Sequence, residues 1–176
     1  MLPTSCVLGL AASSSDRLGF WKDVYGFDMA NLALDLVQEA CVEVVPPSTL
    51  LSEPALFRTI DCTATTDVAL DFAAPFALTA TAAGQLRCWV LHFDTVFDCA
   101  AAGGVRTAFT TAASATPTHW KQTTLHLKEP VPLAAGDELS GTVRFSRCKD
   151  YKRGYDISVE FAHNGAHKAL QMWKLE

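Results

Sequence analysis

A chain of 176 residues, 49% hydrophobic and 19% charged, holds enough apolar mass for one folded domain and excludes a disordered tail. Its net charge of −5 argues against binding nucleic acid through a basic surface. No stretch approaches the roughly 20 apolar residues of a membrane span, and the start has no basic flank or long apolar run of the secretory kind.

In chain order, Cys6–Leu10 reads as a strand. The run Phe20-Trp21-Lys22-Asp23-Val24-Tyr25-Gly26-Phe27-Asp28-Met29 then packs four aromatics and a methionine ahead of an amphipathic helix predicted over 29–40. Leu32, Ala33, Leu36, Val37 and Ala40 fall on one side of that helix and Asn31, Asp35, Gln38 and Glu39 on the other, with Asp28 placed to cap it. Pro46, Pro47 and Pro54 end the segment.

Beyond Pro54 the pattern turns to β. Strands are predicted at Leu56–Asp61, Val68–Phe72, Phe76–Thr81, Leu86–Asp98, Val105–Thr111, Trp120–Lys128, Leu139–Ser146, Tyr155–Ala162 and His167–Trp173. The first half of Leu86–Asp98 is apolar on both faces, as in a covered sheet. Tyr155, Ile157, Val159 and Phe161 are expected inward, and His163-Asn164-Gly165-Ala166 is a hairpin turn, because Asn-Gly tolerates positive φ. The Ala/Thr/Gly-rich stretches at 79–84, 100–104 and 111–116 read as loops. The fold class is mainly β: a barrel of about eight to ten strands forming one domain over 1–176, interrupted at 16–52 by a helical excursion.

The chemistry-bearing patterns are few. There is no Gly-x-Gly-x-x-Gly cradle, no Gly-x-Ser-x-Gly elbow and no His-Glu-x-x-His helix. The six cysteines are too scattered for a disulfide framework or zinc site and read as thiols of the cytosol or nucleus. Asp94 and Asp98 share a strand face, which suits a solvated edge better than acid–base catalysis. Thr118-His119-Trp120-Lys121-Gln122-Thr123 differs: Pro117 fixes its approach, and it stands where a loop becomes a strand, a common place for residues that meet a ligand. An indole there can flank a planar cation, and an imidazole can hold a carboxylate or carbonyl.

Together the two motifs, with the intervening helix and Val42-Glu43-Val44-Val45-Pro46, resemble the C-terminal half of the protein arginine N-methyltransferases. Ser15-Asp16-Arg17-Leu18-Gly19, running into the aromatic segment, and Thr59-Ile60-Asp61-Cys62-Thr63 are most similar to the cytosolic, zinc-finger-bearing type I branch of that family. The resemblance covers essentially the whole chain.

It implies a β-barrel with a dimerisation arm, belonging to enzymes that transfer methyl from S-adenosylmethionine to guanidinium nitrogens of protein arginine. The family's donor-binding domain and paired glutamates find no counterpart here, so the chain alone is expected to be inert and to bind no donor. His119 and Trp120 match the loop that walls the target-arginine pocket. The family pairs that histidine with an acid on a lid helix not matched here, so His119 is expected to face solvent. Phe20, Trp21, Tyr25, Phe27, Met29 and Leu32 match the arm that docks on a second subunit's donor domain. The implied partners are basic, Arg/Gly-rich proteins and, in the complete enzyme, a second copy; neither metal, membrane nor nucleic acid is implied. The alternative is a non-catalytic β-barrel interaction or regulatory module.

Overall fold

The computed structural model describes residues 2–100, 103–151 and 153–176. Met1, and Ala101 and Ala102 of the predicted 100–104 loop, lie outside the described residues. Ten strands form the body: β1 (Ser5–Ser13), β2 (Cys41–Glu43), β3 (Ala55–Asp61), β4 (Phe72–Thr79), β5 (Gly84–Asp98), β6 (Arg106–Thr110), β7 (Gln122–Leu133), β8 (Glu138–Arg147), β9 (Tyr155–His163) and β10 (Ala166–Leu175). Among the described residues one α-helix, α1 (Ala30–Leu36), lies between β1 and β2, preceded by a 3-10 turn at Leu18–Lys22.

The strands make two antiparallel sheets. One runs β2-β7-β5-β1-β3 with β6 added to β5; the other runs β10-β9-β8-β4. They face one another as a barrel, and their inner faces share a core of Leu10, Leu86, Trp89, Leu125, Leu139, Val143, Ile157, Phe161 and Trp173. At one seam the backbone passes directly between sheets: Ala40 N–H donates to Lys174 C=O at 2.8 Å and Lys174 N–H to Gln38 C=O at 2.9 Å.

β1 justifies its early place in the chain, because it pairs along its length with the later β5 and with β3. The predicted two-faced burial of β5 holds. Its inner side chains join the main core, while Cys88 and Val90 on the other face meet Val45, Leu50 and Ala113. Burial pushes the Cys88 thiol up to about 12, so this cysteine acts as a small apolar residue. Asn164 and Gly165, at φ 49° and 79°, make the two-residue turn expected between β9 and β10.

Several elements differ from the sequence pattern: β7 starts at Gln122 and runs past Lys128 to Leu133, and Cys41–Glu43 is a strand that the pattern did not predict. Asp67–Leu70, inside the predicted Val68–Phe72 strand, is a short 3-10 helix, and the strand that follows begins at Phe72. Pro75 lies inside that strand without breaking it, because β4 is an edge strand hydrogen-bonded to β8 only. The helix ends at Leu36 instead of 40, because the chain must extend for Gln38 and Ala40 to bond Lys174.

Candidate functional site

Two surfaces collect the residues singled out by sequence. The first forms where β5 changes neighbours. β7 pairs with β5 as far as Leu91, and β6 takes over the same side from Asp94. The 111–121 loop fills this fork. Thr111 pins one end: its hydroxyl donates to the Phe93 carbonyl at 3.1 Å and accepts the Phe93 N–H at 3.0 Å. Gln122 pins the other, donating to the Thr111 carbonyl at 2.6 Å and accepting Val45 N–H at 2.9 Å. Between them Lys121 N–H closes a turn on the Thr118 carbonyl, with Lys121 at φ 59°.

That turn lays Trp120 flat on Phe109, 4.9 Å between ring centres at 16°, with Phe93 edge-on at 6.4 Å. Phe97 continues the stack beyond Phe109 at 6.1 Å, and the His119 ring centre lies 3.8 Å from Trp120. Trp120 remains 48% exposed. His119 faces solvent, as expected. The sequence singled out His119 and Trp120 but not the aromatic base beneath them. The spacing of Phe93 and Phe97, two residues either side of Thr95 on one strand face, was the available signal.

Trp120 forms the rim of a cavity of about 230 Å³ at the barrel mouth, lined mainly by apolar side chains including Leu91, Phe93, Phe145 and Ile157. That is below the roughly 300–1,000 Å³ of small-molecule pockets, so this cavity does not suit a bound small molecule. His92 reaches the same cavity. A Cβ on Gly9 would come within 2.1 Å of its imidazole, so glycine is required across the strand pair. Burial lowers the His92 pKa, against a partial offset from Asp94, whose Oδ1 lies 4.0 Å away.

The second surface is the segment from Asp16 to α1. It is tied up mostly within itself. Asp16 accepts Gly19 N–H, Asp23 accepts Gly26 N–H at the Val24–Phe27 turn, Trp21 C=O accepts Met29 N–H, and Asp28 accepts Ala30 N–H at the helix start. Tyr25 and Gly26 both take positive φ in that turn. Trp21 and Met29 are half-buried. Phe20, Tyr25 and Phe27 are 62%, 97% and 72% exposed, and Leu32 and Leu34 are exposed beside them. A helix simply packed on its own barrel would not leave these outside. The excursion is not wholly external either, since β2 within it pairs with β7.

Its base is held by charge. Arg87 pairs with Asp16 at 3.0 Å and Arg17 with Glu43 at 3.2 Å. Glu43 also accepts from Thr124 and lies 3.3 Å from Nε2 of the buried His126. Burial alone would raise the Glu43 pKa, but the hydrogen bonds from His126 and Thr124 and the charge of Arg17 prevail and hold it at about 2. A carboxyl depressed from 4.5 gives stability that is full above that pH and is lost as pH falls through about 2. Glu43→Gln is expected to cost about 1–2 kcal/mol at pH 7, discounted because the carboxylate keeps some solvent contact. Urea midpoints measured from pH 7 down to 2 should fall less steeply in the variant. Parallel curves would remove Glu43 from the acid response.

Residues 6–166 match the family described as the Arginine methyltransferase oligomerization subdomain. Protein arginine N-methyltransferase 1.1 of Arabidopsis thaliana is 31% identical over 173 residues, 95% of this chain and 43% of that protein. Ribosomal protein arginine N-methyltransferase rmt3 of Schizosaccharomyces pombe is 33% identical over 176 residues, 94% of this chain and 32% of its own length. The chain thus spans less than half of these relatives, corresponding to their C-terminal portion. Among solved structures, the Trypanosoma brucei PRMT1 enzyme–prozyme heterotetrameric complex with AdoHcy superposes over 100% of this chain and 57% of its own, with TM-score 0.86 and 26% identity. The ten-stranded barrel is therefore that of an arginine methyltransferase oligomerization subdomain, and the chain belongs to that family.

Proposed function

We propose that this chain is the acceptor-side barrel and pairing arm of a type I protein arginine N-methyltransferase. One observation carries the reading: an internally braced segment presents Phe20, Tyr25 and Phe27 to solvent, a preformed apolar surface that requires a second protein surface to cover it. The arm would dock on the donor-binding half of another subunit. Trp120, stacked on Phe109, would form part of the wall against which the target guanidinium lies.

The reaction breaks the S–CH3 bond of S-adenosylmethionine and forms an N–CH3 bond, and the attacked nitrogen gives up a proton. Its catalysis rests on orientation and on carboxylates gripping the guanidinium. The mouth cavity of about 230 Å³ does not fit the donor, and its apolar lining offers no carboxylate to a ribose. We assign donor binding and the guanidinium-gripping acids to the other half of the enzyme. Basic, Arg/Gly-rich proteins are the substrate class, consistent with the chain's net charge of −5. The working compartment is the cytoplasm, and the nucleus as well, where buried thiols such as Cys88 persist.

The test is complementation. The purified 176-residue chain should transfer no radiolabelled methyl group to an Arg/Gly-rich peptide, and adding a donor-binding half in trans should restore transfer. Turnover by the chain alone would refute the division of labour. Complementation that fails while the chain still binds and silences an intact methyltransferase would favour the regulatory-module reading. In light scattering the chain alone should be a monomer or associate loosely with concentration; a tight symmetric dimer would mean that the arm has another receptor.

A further inference from the structure

β10 is the outer strand of its sheet, hydrogen-bonded along one side to β9. On its free side Lys174 bonds the backbone at 38–40. Strand backbone groups alternate in direction, so Leu170 and Met172 point their N–H and C=O the same way as Lys174. These groups face a groove of about 540 Å³ between β10 and the second half of β7. The groove stays open because β2 covers β7 only at Gln122–Thr124, while side chains bridge the strands above it. Gln171 Nε2 and Trp173 Nε1 each donate to the His126 carbonyl at 2.8 Å. Pro130 and Pro132 deprive the β7 wall of two donors, so β10 is the wall able to pair. A register shift between His167 and Ala169 marks a bulge at the start of this edge, and beyond it the strand exposes Leu170 and Met172.

We propose that this free edge of β10 docks an acidic, extended peptide from another protein, added as a strand along Ala169–Met172, past the bulge at Lys168. The outward side chains of β10 read Lys168, Leu170, Met172, Lys174, so an added strand meets positive charge at both ends and apolar surface between. Lys128 stands exposed on the opposite wall, against one acid, Glu129. Neither Lys128 nor Lys168 has an ion-pair partner among the described residues. A second copy is the poorer occupant: antiparallel pairing centred between Leu170 and Met172 would bring Lys168 and Lys174 of the two copies face to face.

Fluorescein-labelled Glu-Thr-Val-Thr-Val-Thr-Glu, titrated against the intact chain and followed by anisotropy, should bind saturably. Replacing both glutamates by lysine, or N-methylating alternate residues, should weaken binding at least tenfold. Leu170→Pro removes an N–H on the free side while sparing the β9 ladder, and should do the same with an unchanged circular dichroism spectrum. Should that variant not fold, Lys128→Glu with Lys168→Glu, both at exposed positions, should reverse the preference toward the lysine peptide. Equal binding of all peptides, or no saturable binding, overturns the proposal. Self-association of the chain that Leu170→Pro abolishes would give the edge to a second copy instead.

Discussion

Trp89→Ala is expected to cost about 3–5 kcal/mol, the range for removing a large buried aromatic. Trp89 is fully buried on β5, between Ala12 of β1 and Leu125 of β7. It reaches across the barrel to the other sheet. Phe76 of β4 lies at 5.4 Å and Phe161 of β9 at 5.0 Å, both edge-to-face. One side chain thus joins four strands, and its loss leaves a void that two facing sheets cannot collapse to fill. Domains are stable by about 5–15 kcal/mol, so the variant should stand near the threshold of folding. Trp89→Phe gives a discriminating control. The Trp89 indole N–H is buried without a hydrogen-bond partner, so phenylalanine sheds an unsatisfied donor while losing part of the packing. The two effects oppose, and that variant should stay within about 1 kcal/mol of the parent. Urea unfolding with an unchanged m value measures both. A loss under 1 kcal/mol for Trp89→Ala would mean that the sheets are held together elsewhere.

Trp89 also illustrates what sequence could and could not convey. Its neighbours Leu86, Val90 and Leu91 mark a strand covered on both faces, and alternation in β9 gives its inward set directly, because strand side chains obey a period of two wherever one face is buried. The helix was legible in type and wrong in length. Apolar positions continue to Ala40, yet two backbone bonds to Lys174, on the last strand, outweigh about one further turn of helix. The exposed aromatics Phe20, Tyr25 and Phe27 were legible as a surplus over what one barrel face can absorb. The rim was only half legible: Thr118–Trp120 stood out, but its platform comes from β5 and β6 and becomes a single site only through the strand fork at Leu91–Asp94. Glu43 on β2 meets Thr124 and His126 on β7 in the same way, and spacing along the chain carries no trace of that meeting across 81 and 83 residues.

The geometry of that rim sets the second large effect. In the complete or complemented enzyme, Trp120→Ala is expected to lower kcat/KM for an Arg-containing peptide by about 10- to 100-fold. Misplacing a reacting group by about 1 Å costs on that order. The indole is half-exposed at the barrel mouth, so its removal strips a wall from the mouth cavity without emptying the core. Stability should therefore fall by no more than about 1–2 kcal/mol, which separates a positioning role from a folding defect. Phe109→Ala adds a second reading. It takes away the ring on which Trp120 lies at 4.9 Å, so it should reproduce much of the loss while leaving the indole in place. Trp120→Phe, keeping an aromatic face of smaller reach, should recover part of the activity. If kcat/KM is unchanged in Trp120→Ala, the stacked rim is a structural feature of the barrel and the acceptor arginine is held elsewhere. If Trp120→Ala fails while Phe109→Ala is silent, the indole itself contacts substrate without needing its aromatic base.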